Sequence, residues 1–379
     1  YKMEVGHPPG APLFMMINRF FSMFAPDTSS VAFMVNVASC MASALTIAFM
    51  FWTIAHLGRR IMRKSEEELT RGETFAIMGA ALIGSLAYAV TDTFWFSAVE
   101  GEVYAQSSLF TALVFWAILK WENVADQPHA NRWLVLLAYL MGLSIGVHLL
   151  NLLAIPAIVF VYYYRMRPAE YAADRKKARR GWWKAFAISV IILAFALYVI
   201  IPQTVALGAW FDRIFVNSFG FPVNSGLLTF FLLLLGGLGY GVYLSHRKGK
   251  VALNTFLLCT AMMVLGYCTY ASVVIRASEN PPMNSNAPSD PYQLLSFLNR
   301  EQYGDRPLFK GQYYSAPAIG LKEGDSYYLD TKSGKYIPYS YVKGYEFDPR
   351  FTTIFPRMYS SDPNHIAEYE HWGNITGKK

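Results

Sequence analysis

Between Val31 and Ile275 the chain passes through one long apolar stretch after another, broken only by short polar loops. About 20 mostly apolar residues span the hydrocarbon core of a bilayer. Backbone amides have no water to bond there, so runs of this length must be helices. The expected spans are 31–57, 74–99, 107–121, 185–202, 227–244 and 251–275. The stretch 133–164 is too long for one crossing and is interrupted by His148, Asn151 and Pro156. It divides into two short helices that turn near His148. The fold class that follows is an all-α polytopic membrane bundle of about eight spans. Only 16% of the residues are charged, against about 25% in soluble domains.

The composition changes near Arg276, beyond which Tyr, Pro, Asp, Asn and Lys dominate. This divides the chain into a membrane domain, 1–275, and the start of a polar α+β segment, 276–379. Ser326-Tyr-Tyr-Leu-Asp330 and Lys335-Tyr-Ile-Pro-Tyr-Ser-Tyr341 read as short strands around a turn at 331–334. The chain opens at Tyr1 in a polar loop and stops at Lys379 without a closing element, so it reads as an interior piece of a longer protein. Cys40, Cys259 and Cys268 lie inside apolar runs and read as small packing residues rather than a disulfide framework.

Lysine and arginine orient the bundle. One set of alternate loops carries Arg59, Arg60, Arg63, Lys64 and Arg71; then Lys120 and Arg132; then a group of eight from Arg165 to Lys184; then Arg247, Lys248 and Lys250. The opposite loops before residue 276 hold only Lys2, Arg19 and Arg213. The positive-inside rule assigns the basic set to the cytoplasm. The net charge of +7 is thereby accounted for by topology, and nucleic acid is excluded as a partner. The loop 1–30, the turn 94–106, the His148 turn, the loop 203–225 and the segment 276–379 then share the extracytoplasmic face. Trp95 and Trp210 fit an interfacial aromatic belt.

The polar residues of that face are the candidates for chemistry. Thr91-Asp-Thr-Phe-Trp-Phe-Ser-Ala-Val-Glu-Gly-Glu-Val-Tyr104 places Asp92, Glu100 and Glu102 near a span end. Acidic groups at membrane depth face a cavity, a partner or water. The bland alternative is a solvated loop whose carboxylates cap the next helix. Glu4-Val-Gly-His-Pro-Pro-Gly-Ala-Pro-Leu-Phe14 is a rigid, irregular segment with His7 at its head, suited to phosphate binding or acid–base work. A capped turn leading into an interfacial helix, 13–24, explains it equally well. His148 and Asn151 either mark a substrate pathway or hydrogen-bond between helices. Arg213 either grips a lipid phosphate or forms a surface pair with Asp212.

Other motifs carry no chemistry. Gly236-Gly-Leu-Gly-Tyr-Gly241 lacks the Lys-Ser/Thr of a phosphate loop, and small residues that let membrane helices pack closely are the better account. The run 175–180 faces anionic lipid heads. Asn374-Ile-Thr376 matches a glycosylation acceptor, a pattern common by chance.

Four stretches together resemble a known family: Glu4–Phe14, Thr91–Tyr104, Gly142-Leu-Ser-Ile-Gly-Val-His-Leu-Leu-Asn151, and Asp348-Pro-Arg-Phe-Thr-Thr-Ile-Phe-Pro-Arg-Met-Tyr359. The family comprises multi-span bacterial proteins, many from Bacteroidetes, grouped with GT-C glycosyltransferases and related to protein O-mannosyltransferases. The resemblance runs over essentially the whole chain. It implies a GT-C-like bundle in the bacterial inner membrane with its active site at the extracytoplasmic interface. The implied donor is a polyprenyl-phosphate sugar, with mannose the first candidate. The implied acceptor is a Ser or Thr of an exported protein, or a glycan. Glu102, Glu100 and His7 would then be catalytic, while Asp92, Tyr104, His148, Asn151 and Arg213 would bind substrate. In that family a Trp-Asp-Cys-Gly-Glu-Phe-like stretch precedes the Glu-Val-Gly-His-Pro-Pro-Gly motif. The acidic base it carries would lie upstream of Tyr1. Glu102 stands to position the acceptor hydroxyl or to bind a divalent metal ion, and without an Asp-x-Asp pair both readings stay open. Two other classes compete: a transporter or lipid flippase, suggested by the interrupted run at His148, and a membrane-anchored scaffold that binds partners through 276–379.

Overall fold

The computed structural model describes residues 1–62, 68–167, 174–303 and 306–375. Arg63 and Lys64 of the first basic loop, and Thr376 of the acceptor-like tripeptide, lie outside them.

A short helix, α1 (Pro12–Ser22), precedes the bundle. The long helices are α2 (Val31–Met62), α3 (Arg71–Ala89) and α5 (Val103–Val124), with the short α4 (Asp92–Val99) before α5. Next come α6 (Arg132–Ile145) and α7 (Ile155–Met166), separated by a 3-10 turn at Leu149–Ala154. Then follow α8 (Arg175–Phe195), α9 (Ile201–Phe219), α10 (Ser225–Arg247), α11 (Val251–Tyr267) and α12 (Ala271–Ser278). Among the described residues, 7 helical segments are long and apolar enough to cross a membrane, and α6 is a shorter apolar helix beside them. The chain is a multi-pass helical membrane protein. Its outward surface agrees: Phe75 and Ile83 on α3 are more than 70% exposed, a condition that a lipid solvent relieves and water does not.

Three boundaries differ from the expectations. The second run does not continue to residue 99. Thr91 donates its hydroxyl to Tyr88 O at 2.8 Å, and this local bond competes with the helix ladder, so α3 stops and α4 starts anew. The expected turn at 94–106 accordingly shrinks to Glu100–Glu102. The sixth run does not end at Pro202, and the expected loop 203–225 is mostly helix. Helix extends over Arg175–Phe219, 45 residues. A π-turn at Ala196–Ile200 shifts the hydrogen-bond register just before Pro202, and this accommodates its missing N–H. The split of 133–164 at His148 is as expected.

Glycine also acts elsewhere than expected. A Cβ on Gly236, Gly237 or Gly239 would meet nothing within 4 Å, and at Gly241 it would meet only the Leu257 side chain at 3.1 Å. The close approach is between α6 and α11. A Cβ at Gly142 would strike the Met263 carbonyl, and one at Gly266 would lie 2.7 Å from Gly142 C. Gly236, Gly237 and Gly239 face open space on α10 because backbone proximity depends on which helix lies opposite.

At the basic end, the buried Glu122 accepts a bond from Arg60 and lies 3.4 Å from His56 Nε2. Arg165 donates to the Glu122 carbonyl at 3.1 Å and pairs with Asp126. These contacts pin α2, α5 and α7 together. Just above, Trp121 stacks on Tyr162 with centroids 4.9 Å apart.

The polar segment holds α13 (Pro291–Asn299), a hairpin, a second small sheet and α14 (Pro363–Gly373). The hairpin strands are β2 (Ala318–Asp330) and β3 (Lys335–Phe347), antiparallel, with Asp330 opposite Lys335. The turn falls where the sequence places it, and the strands run further than the alternation suggests. The short strands β1 (Lys310–Gln312) and β4 (Thr352–Ile354) pair antiparallel. Tyr336 fastens the hairpin to α9: it exchanges two 2.8 Å bonds with Asn217 and donates its hydroxyl to Asp212 at 2.8 Å.

Candidate functional site

The first ten residues have little regular structure of their own and are held by neighbours distant in sequence. Val5 N donates to Met283 O at 2.9 Å, and Ser285 N returns a bond to Val5 O at 3.0 Å. Arg276 Nε donates to Met3 O at 2.9 Å. At His7 the chain turns, with Gly10 N donating to His7 O at 2.9 Å. Gly10 has φ +67°, and a Cβ there would press on the Phe297 ring at 3.1 Å, so this corner requires glycine.

The start of α1 then sets His7 beside the α6–α7 turn. Ala11 at the N-cap brings no side-chain acceptor, and the first amides of a helix need one. Gly146 O supplies it, accepting from Leu13 N at 2.8 Å and Phe14 N at 3.4 Å. Gly146 tolerates this approach because it lacks a Cβ, which would meet Thr269 Oγ1 at 2.5 Å. Two residues on, His148 caps the 3-10 turn: its Nδ1 accepts from Leu150 N at 3.1 Å. An Nδ1 that accepts leaves the proton of the neutral ring on Nε2. Burial, and then the Arg300 guanidinium, hold the His148 pKa below its ordinary value, so near neutral pH the ring is an uncharged donor.

Glu102 arrives from α5. Gly101 lets the loop press onto α2, where a Cβ would lie 2.8 Å from Val35. Glu100 and Glu102 both have extended backbone. Glu102 is the N-cap of α5, yet its side chain makes no capping bond. The capping alternative is therefore not realised, and its exposed carboxylate stays available. One residue later the Tyr104 ring packs against His148, with centroids 5.8 Å apart.

These pieces enclose a cavity of about 830 Å³. His7, Glu102, Tyr104 and His148 line it, joined by Lys2 and Arg300. Sequence reasoning missed Arg300. It terminates α13 with φ +58° and stacks on Tyr303 at 4.9 Å. Nothing local marks it, because it enters from the polar segment.

Four sequence candidates do not line this cavity. Asp92 opens α4 and Glu100 closes it, both exposed. Asn151 is fully buried behind the turn; its Nδ2 points to Met141 Sδ at 3.5 Å, and its Oδ1 has no partner. Arg213 lies on α9 with its guanidinium 4.3 Å from the Tyr327 ring centroid. The alternative of a surface pair with Asp212 is corrected: Asp212 is completely buried and accepts from Asn224 N at 3.0 Å and Gly226 N at 2.8 Å. The α10 amides, being unsatisfied helix donors, draw its carboxylate away from Arg213.

Among the described residues no three His, Cys, Asp or Glu side chains converge to hold a metal ion. The His and carboxylate groups at the cavity do not by themselves form a metal centre.

Crossing helices, a small α+β segment and a polar cavity at the end opposite the basic loops characterise this multi-pass membrane protein. Residues 1–171 match the family described as Protein O-mannosyl-transferase TMEM260 N-terminal domain. The resemblance to O-mannosyltransferases thus holds over the stretch that carries three of the four motifs. Residues 304–379, which contain the fourth, match a Family of unknown function, DUF8416. No solved structure matches the chain.

Proposed function

We propose that this chain is part of a membrane glycosyltransferase that moves a sugar, mannose, from a polyprenyl-phosphate donor to a Ser or Thr of an exported protein, or to a glycan, at the extracytoplasmic face. In this reading 1–275 form the membrane domain and 276–379 begin an extracytoplasmic one. The observation that carries it is the single cavity bringing an uncapped carboxylate, two imidazoles, a phenol and a guanidinium together from segments far apart in sequence.

The acceptor oxygen attacks the anomeric carbon, the bond from that carbon to the phosphate oxygen breaks, and the hydroxyl proton passes to a base. Glu102 orients the acceptor hydroxyl so that its proton can pass to the base, and His7 lines the same cavity. The lipid phosphate leaves as an anion and needs donors and positive charge rather than a proton. Arg300 and the Nε2–H of His148 supply these, and Tyr104 packs against His148 and holds its ring in place. Asp92, Glu100, Asn151 and Arg213 remain outside this constellation.

Glu102→Gln in the full-length protein should lower sugar transfer about 100-fold or more in membranes supplied with polyprenyl-phosphate mannose, with unchanged protein level and thermal transition. Undiminished transfer would remove Glu102 from the mechanism. Substrate uptake into proteoliposomes without any transfer would replace this reading with a transporter.

A further inference from the structure

A second cavity lies at the opposite end of the bundle. It has a volume of about 600 Å³ and sits where α6 and α11 begin and α10 turns into α11. His129, Arg132, His246 and Lys250 line it, and no Asp or Glu does. None of these four side chains has a hydrogen bond or ion pair with a described residue, and all four are exposed. The walls are joined instead by neutral groups. Asn131 Nδ2 donates to Thr255 Oγ1 at 3.1 Å across α6 and α11, and Asn254 Nδ2 donates to Val242 O at 2.8 Å across α11 and α10. These basic side chains are thus left unpartnered among the described residues, around a preformed recess. Deeper in, the lining becomes apolar with Val135 and Leu258.

We infer that this recess binds an anionic phospholipid of the leaflet facing the basic loops, with its phosphate among the four basic side chains. Three features select that ligand. The cavity lies at helix ends, the depth at which headgroup phosphates sit. Its charge is of one sign, as basic pockets between membrane helices are when they take acidic headgroups. Its lining passes from cationic to apolar in the direction in which a phospholipid passes from phosphate to acyl chain. A soluble anion would use the charges and leave the apolar wall unmatched. The site is separate from the polar cavity, and α6 connects the two, with Arg132 at one end and Gly146 just past the other.

The test is native mass spectrometry of the full chain in neutral detergent, titrated with phosphatidylglycerol or phosphatidylcholine. Arg132→Gln with Lys250→Gln should weaken phosphatidylglycerol retention roughly tenfold or more, leave phosphatidylcholine retention unchanged and keep the thermal transition. The charge-retaining pair Arg132→Lys and Lys250→Arg should restore retention. Lys176→Gln with Arg179→Gln removes equal charge from another basic segment and should have no effect. Equal loss in that control, or no loss in the first variant, overturns the inference. Displacement of the lipid by inorganic phosphate alone would make this a soluble-anion site and overturn the lipid assignment.

Discussion

Glu102 and Glu100 are the same residue type two positions apart, yet only Glu102 lines the polar cavity. Their spacing cannot separate them; the packing of Gly101 on Val35 does. His148 carries the sharper prediction. Its ring stays neutral because burial and Arg300 disfavour the imidazolium. Arg300→Gln removes the second cause, so the His148 pKa should rise toward its ordinary value near 6.5. Imidazole resonances followed by NMR against pH would show that shift. The linkage has the matching sign. A depressed histidine pKa leaves stability intact above about 6.5 and erodes it as pH falls, because the unfolded chain takes up the proton first. An unmoved titration in Arg300→Gln would remove the guanidinium as a cause.

At the scale of elements, α6 and α11 touch backbone to backbone through Gly142 and Gly266. This contact carries α6 to Gly146, whose carbonyl receives α1 and so brings His7 to the cavity that His148 lines. Gly266→Ala should force the two helices apart and destabilise the protein by about 1–3 kcal/mol, seen as a lower thermal unfolding midpoint in detergent. Gly236→Ala should be harmless or slightly stabilising, since its Cβ points into open space and alanine is the better helix former. Equal effects from both substitutions would contradict the packing described. Sequence alone favours the opposite choice, because four glycines within six residues look more like a packing motif than two isolated ones. The Tyr336 bonds to Asn217 and Asp212 likewise tie the hairpin to α9, and no spacing rule links residues 119 and 124 positions apart.

For the whole molecule the decisive quantity is the charge asymmetry between the two ends. It sets the orientation, and with it whether the polar cavity meets exported acceptors. Cysteine placed at Lys176 or Lys332, both exposed, in a chain whose own cysteines are replaced, reports sidedness directly. A membrane-impermeant maleimide added outside intact cells should label the cysteine at 332 and spare the one at 176. The reverse pattern would place the cavity in the cytoplasm and end the proposal of transfer to exported proteins.

Apolar run length and basic-loop alternation determined the bundle, its approximate spans and its expected orientation, because the bilayer acts on each helix separately and enforces a rule readable one segment at a time. The hairpin turn at 331–334 and the break at His148 were legible for the same reason, since their causes lie within a few residues. Partnership was not. That Glu102, His7 and His148 share a cavity while Glu100, Asp92, Asn151 and Arg213 stand apart, and that Arg300 joins from a segment some 150 residues beyond His148, depends on which helices approach closely enough to exchange backbone contacts. That is a property of packing between distant segments, and only the tertiary structure decided it.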